Sequence, residues 1–107
     1  MDESQFAAAA DRTLRALFQA LDEGLPDADV DLREGILTVE LEDGRQYVIN
    51  KHAPNRQIWL SSPISGAAHF DLDAASGAWR STRGGADLKK LLSAELATAA
   101  GADIRFD

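Results

Sequence analysis

Carboxylates crowd the start of this chain. Nine of its 18 acidic residues lie in the first 34 positions: Asp2, Glu3, Asp11, Asp22, Glu23, Asp27, Asp29, Asp31 and Glu34. Only Arg12, Arg15 and Arg33 oppose them, so this stretch carries −6 of a net charge of −7. Carboxylate oxygens suit hard cations such as Fe(III), Fe(II), Mg(II), Ca(II) and Mn(II). On a helix advancing roughly 100° per residue, Asp11 and Asp22 fall within about 20° of each other, on the flank of an apolar stripe that Arg15 shares. Asp27, Asp29 and Asp31 step by two, so an extended segment points all three to one side with neighbours roughly 7 Å apart. A metal needs oxygens at about 2.0–2.6 Å. Carboxylates spaced this widely make open, water-rich, weak sites in a row and not a permanent metal cage. The spacing is not that of an EF-hand, because the central Gly and terminal Glu are missing in register. The bland alternative is a solvated, mutually repelling face with Asp11–Arg15 as an ordinary helix pair.

Other chemistries find less support. There is no cysteine, which excludes disulfides, thiolate metal sites, cysteine nucleophiles and cluster ligation through sulfur. Ser61, Ser62, His69 and Asp71 contain the ingredients of a nucleophilic triad but lack a nucleophile elbow. His52 and His69 do not have metal-ligand spacing, and His52 reads as a loop residue. Gly84-Gly85 is a turn and not a phosphate loop. The negative first third repels phosphate backbones and argues against nucleic acid. No apolar run approaches the length of a membrane span.

The elements that must position these residues read as helix, strands, helix. Asp2 and Gln5 can form a capping box. Phe6, Ala10, Leu14, Leu17, Phe18 and Leu21 then recur at helical spacing over about residues 3 to 23, with Gly24 and Pro26 as the stop. Val30 to Arg33 reads as a short strand. Ile36 to Glu42 alternates, Asp43-Gly44 signals a two-residue hairpin, and Arg45 to Asn50 returns with Tyr47 and Ile49 on one face. After a loop at Lys51 to Arg56, Gln57 to Ser61 is a strand, Pro63 to Gly66 a turn, and Ala68 to Leu72 pairs with Ala78 to Ser81 around Ser76-Gly77. Leu88, Leu91, Leu92, Leu96 and Ala99 mark a second amphipathic helix ending at Gly101, and Asp103 to Phe106 is a tail. With 107 residues, this is one domain. Its class is α+β, a two-layer sandwich with both helices on one face of an antiparallel sheet of five to seven strands. Alternation puts Ile58 and Leu60 in the core and leaves Trp59 with Gln57 and Ser61 on the open face, where an aromatic either anchors a partner or packs against its sheet neighbours. Trp79 reads as core or as a filler between paired strands.

From Tyr47-Val48-Ile49-Asn50-Lys51 through Pro54-Asn55-Arg56-Gln57-Ile58-Trp59-Leu60-Ser61-Ser62-Pro63 to Ser65-Gly66, the sequence resembles the signature strands of the frataxin family. His69-Phe70-Asp71-Leu72 is similar to its bacterial branch, and Leu91-Leu92-Ser93-Ala94-Glu95-Leu96 resembles its second helix. The resemblance implies an α-β-α sandwich that serves iron–sulfur cluster assembly. It implies weak, transient binding of iron (Fe2+/Fe3+) at the acids Glu3, Asp11, Asp22, Glu23, Asp27, Asp29 and Asp31. It also implies docking on the cysteine desulfurase and scaffold complex, with Asn50, Asn55, Gln57, Trp59 and His69 as contacts. Gln19, Leu25 and Arg33 stand where acids are common in that branch, and Ala7 where a polar residue is frequent, so the acidic ridge is thinner here. The expectation is a non-enzymatic accessory protein, monomeric without iron. An iron-storing or ferroxidase protein that oligomerises is the alternative. The acidic start Met1-Asp2-Glu3-Ser4 is unlike a targeting peptide, and the expected location is the cytoplasm.

Overall fold

The computed structural model describes residues 1–106. Helix α1 (Glu3–Gly24) is followed by strands β1 (Asp29–Arg33), β2 (Ile36–Glu40), β3 (Gln46–His52), β4 (Gln57–Ser62), β5 (Gly66–Asp73) and β6 (Ala78–Ser81), then helix α2 (Leu88–Ala99). The six strands form one sheet in chain order, each antiparallel to the next. A meander of this kind needs only tight turns, so one face can stay uncovered. Both helices lie on the other face. Phe6, Leu14, Leu17 and Leu21 of α1 and Leu88, Leu92 and Leu96 of α2 share one core with Leu37, Ile49, Ile58, Leu60 and Phe70 of the sheet. Trp79 joins that core, edge-on to Phe6, and its indole Nε1 donates to Thr13 Oγ1 at 2.9 Å.

Helix starts follow local chemistry. Asp2 and Gln5 make the expected capping box. Asp87 caps α2, its carboxylate accepting from the backbone N–H of Lys89 and Lys90, a signal the sequence reading missed. The stop of α1 is different from the one expected. Gly24 is still helical and Leu25 is the cap residue. The glycine is needed for close approach: a Cβ there would stand 2.6 Å from Ile104 Cδ1. The tail therefore lies along the helices, with Ile104 buried and its carbonyl accepting from Ser93 Oγ at 2.7 Å. Gly24→Ala should be close to neutral in the wild type, because displacing the far end of the Ile104 side chain offsets a gain of about 1 kcal/mol in helix propensity. In an Ile104→Val background, which lacks Cδ1, the same change should stabilise. Urea titration of this double-mutant cycle should give a coupling of about 1 kcal/mol.

Two strand boundaries also moved. The β2–β3 connection is a three-residue loop, not a two-residue turn. Leu41 N–H donates to Arg45 O, Gly44 N–H donates to Leu41 O, and Gly44 takes φ +92°, the left-handed position of a bulged hairpin. Strand β3 runs through Lys51 and His52, which the sequence reading placed in a loop.

Glu95 of α2 ties the helix layer to the sheet. Tyr47 Oη on β3 donates to Glu95 Oε1 at 2.9 Å, and Ser62 Oγ at the end of β4 donates to the same oxygen at 2.5 Å. Ser65 Oγ in the β4–β5 turn donates to Glu95 Oε2 at 2.6 Å. Ser62 Oγ in turn accepts from the N–H groups of Ile64 and Ser65. Burial first, and then the hydrogen bond to and charge of Glu95, push the Tyr47 phenol up to about 12. A raised value means the folded state holds the proton more tightly than the unfolded chain does. The resulting stability is present below about pH 10 and is lost as pH rises towards 12. Tyr47 is the only tyrosine, so phenolate absorbance reports it alone. Its titration should lie near 12 in the folded protein and fall only part of the way towards 10 in Glu95→Ala, because burial, the larger cause, remains.

Candidate metal-handling face and docking surface

The acids do not form a single cluster. Glu3 and the pair Asp22 and Glu23 sit at opposite ends of α1, separated by roughly 28 Å at 1.5 Å per residue. Asp11 is half-buried and engaged: Lys51 Nζ, reaching from the helix-side face of β3, lies 3.0 Å from its Oδ1. Arg15 instead donates to the backbone carbonyl of Asp11, so the Asp11–Arg15 carboxylate pair of the bland alternative gives way to the long-range pair with Lys51. Asp27 lies in the turn before β1 and so falls outside the extended segment that would have aligned it with Asp29 and Asp31. These two do share a face. Their register partners across β1–β2 are Glu40 and Thr38, and Asp31 also pairs with Arg33 at 3.2 Å.

That register sets Asp29 directly opposite Glu40. Side chains so placed have Cβ atoms about 4.5–5.5 Å apart, and like charges there repel. Glu40 was missed by the sequence reading, because its alternation with Thr38 says nothing about which acid it will face. Among the described residues, no three acid or histidine groups converge closely enough to hold one ion. The arrangement is a broken line of carboxylates along α1, around its C-terminal turn and onto the edge strand. It can attract cations and coordinate each through one or two carboxylates with water completing the shell.

The uncovered sheet face is more built. Asn50, Trp59 and His69 are register neighbours across β3, β4 and β5. The Trp59 indole is sandwiched between two imidazoles. His52 stacks on one face with ring centroids 3.5 Å apart and planes 8° from parallel. His69 stacks on the other at 4.2 Å and 10°. Trp59 Nε1 donates to Gln57 Oε1 at 2.9 Å, and Gln57 Nε2 donates to Asp71 Oδ1 at 3.0 Å. The half-buried indole is thus fixed by stacking on both faces and by a hydrogen bond at its edge. Four of the five expected contact residues meet here. Asn55 does not: it lies exposed in the loop between β3 and β4. His52 is the residue the sequence reading missed, and recognising it required knowing that β3 continues to position 52. Its Nδ1 is buried without a hydrogen-bond partner among the described residues.

Residues 1–102 match a family model described as a frataxin-like domain. The iron-sulfur cluster assembly protein CyaY of Thioalkalivibrio sulfidiphilus is 37% identical over 108 residues, spanning 99% of this chain and 100% of that protein. The mitochondrial frataxin of Arabidopsis thaliana is 36% identical over 111 residues, with 99% of this chain matching 59% of that one. Among solved structures, frataxin from Psychromonas ingrahamii superposes with a TM-score of 0.89 at 27% identity, over 100% of this chain and 99% of that one. Trimeric frataxin from the yeast Saccharomyces cerevisiae, complexed with ferrous iron, gives a TM-score of 0.75 at 42% identity, over 87% of this chain and 86% of that one. Two helices on a six-stranded antiparallel sheet are common to this chain and its structural neighbours. The chain belongs to the frataxin-like family, alongside the bacterial iron–sulfur cluster assembly proteins named CyaY.

Proposed function

We propose that this protein is a non-enzymatic, iron-responsive accessory factor of iron–sulfur cluster assembly in the cytoplasm. Its open sheet face docks on the cysteine desulfurase and scaffold complex, and its acids carry iron as transient cargo. The observation that carries this reading is the Trp59 sandwich. An aromatic ring immobilised on a sheet face that no helix covers has the character of a central interface anchor. Spread carboxylates complement it, since they release iron as readily as they attract it. Glu3, Asp22, Glu23, Asp27, Asp29 and Asp31 serve as landing points. Asp11 serves less, because its carboxylate is already paired with Lys51.

The test is cluster-assembly kinetics with purified desulfurase and scaffold across iron concentrations. It compares wild type with a variant carrying Asp22→Asn, Glu23→Gln, Asp27→Asn and Asp29→Asn. The variant should lose the iron response. It should also melt higher than wild type at low salt, since removing like charges relieves repulsion. A lower melting temperature would mean these acids are structural, and an unchanged iron response would remove them from the mechanism.

A second reading, iron storage with oxidation of Fe(II), is favoured by one observation: the yeast neighbour complexed with ferrous iron is trimeric. Size-exclusion chromatography with Fe(II) under air separates the two. A persistent monomer supports the accessory role, and growth into iron-loaded assemblies supports storage.

A further inference from the structure

His52 is the last residue of β3, and its ring covers one side of the Trp59 indole at a centroid distance of 3.5 Å. His69 covers the other side at 4.2 Å. The two imidazoles lie in similar, near-parallel stacks, yet they differ at one atom. His52 Nδ1 is buried and has no hydrogen-bond partner, the one such side-chain atom among the described residues. His69 buries no unpaired nitrogen.

That difference acts when the rings gain a proton. A neutral imidazole carries one N–H, which His52 keeps on Nε2, leaving a bare lone pair at Nδ1. An imidazolium carries N–H on both nitrogens, so protonation puts a charged donor on His52 Nδ1 with nothing to receive it. The charged groups at this end and face of the sheet are Arg33 at the end of β1, Glu34 in the turn after it, Arg56 in the β3–β4 loop, Asp71 on β5 and Arg80 opposite it on β6. Arg33 pairs with Asp31, Arg80 with Asp73, and Asp71 accepts from Gln57. Lys51, the preceding residue, pairs with Asp11 on the helix side. None of them reaches His52 Nδ1. A buried N–H without an acceptor is costly, and more so on a charged group. The attraction of a cation for an indole face is weak at a half-exposed site and does not offset that cost. His69 meets no such cost and keeps its place.

We infer that His52 is a proton-operated latch on Trp59. The neutral ring holds the indole from one side. The protonated ring swings out to water and leaves the indole held by His69 and by its bond to Gln57. His52 is thus a positioning residue, acting on a partner through Trp59. Its use rests on the docking proposed above: a loosened anchor binds more weakly, so the protein releases its partner as pH falls through the range in which imidazoles gain charge.

Acrylamide quenching of tryptophan fluorescence tests the latch in the protein alone. Trp79 is buried, so the quencher reports Trp59. Between about pH 8 and pH 5.5 the wild-type quenching rate constant should rise about twofold, as one of two covered ring faces opens. His52→Phe, whose ring stacks and does not titrate, should stay low throughout, and His52→Ala should stay high throughout. A flat wild-type profile, which a charged ring merely turned over in place would also give, overturns the inference. An equal rise in His52→Phe overturns it too. Calorimetric titration against the purified desulfurase–scaffold complex reads the consequence. Over the same range wild-type affinity should fall about fivefold more than that of His52→Phe, and equal falls overturn the link to docking. If the complex ignores the protein at every pH, the docking reading fails while the quenching result stands.

Discussion

Glu95→Ala should cost about 3 kcal/mol of folding stability, the largest effect expected of any single polar substitution in this protein. The carboxylate accepts from three hydroxyls at once, those of Tyr47, Ser62 and Ser65. Removing it strands donors on residues with almost no access to water, since Tyr47 is 1% exposed and Ser62 7%. A hydrogen bond to a charged group contributes about 1.5–3 kcal/mol, and a buried donor left unpaired costs about 1–3 kcal/mol. The three bonds share one acceptor group, so they do not add. For a domain of this size, 3 kcal/mol corresponds to a fall in Tm of roughly 12–24 °C. Glu95→Gln keeps an acceptor and loses only the charge assistance, so about 1–2 kcal/mol is expected. Tyr47→Phe deletes a donor without stranding the acid and should cost about 1 kcal/mol. Urea and thermal unfolding rank the three variants. Wild-type stability in Glu95→Ala would mean that water replaces the carboxylate at no cost and that α2 is held by its leucines alone.

Under the proposed docking, Trp59→Ala should weaken binding to the desulfurase–scaffold complex by about 30-fold or more, the scale of a central aromatic anchor. The ring sits on the open face, so its removal should cost the fold much less than it costs the interface. Far-UV circular dichroism and thermal melting check the former, and calorimetric titration against the purified complex measures the latter. His52→Ala and His69→Ala each remove one stacking partner and leave the indole in place. Each should weaken docking by a smaller factor, about fivefold, by loosening the ring before binding. If all three variants bind like wild type, the sandwich serves only to pack the sheet surface, and docking must be sought on another face.

The helices were legible because their signals are local. The capping box of Asp2 and Gln5 and the stripe from Phe6 to Leu21 lie within a few turns of one another. Strand identity was legible for the same reason: alternation at Gln57 to Ser61 showed which face Trp59 would take before any partner strand was known. Boundaries were less legible. Gly24 carries a stop signal, yet it is the last residue of the helix, and its missing side chain leaves room for Ile104, 80 positions away. Asp43-Gly44 marks a hairpin, yet the loop takes in Glu42 as well, with Gly44 in the left-handed position of a bulged hairpin.

By itself, the sequence determined the layer architecture, the acidity of the first third, the absence of sulfur chemistry and the open face that carries Trp59. These depend on residue type and short-range period, which no tertiary context can rearrange cheaply. Only the tertiary structure decided the Glu95 hub, the Asp11–Lys51 pair, the opposition of Asp29 and Glu40, and the His52–Trp59–His69 stack. Each brings together side chains on different elements, and strand register chooses among them. A shift of one residue would exchange every partner and turn every side chain to the other face, and no local pattern in the chain announces which register wins.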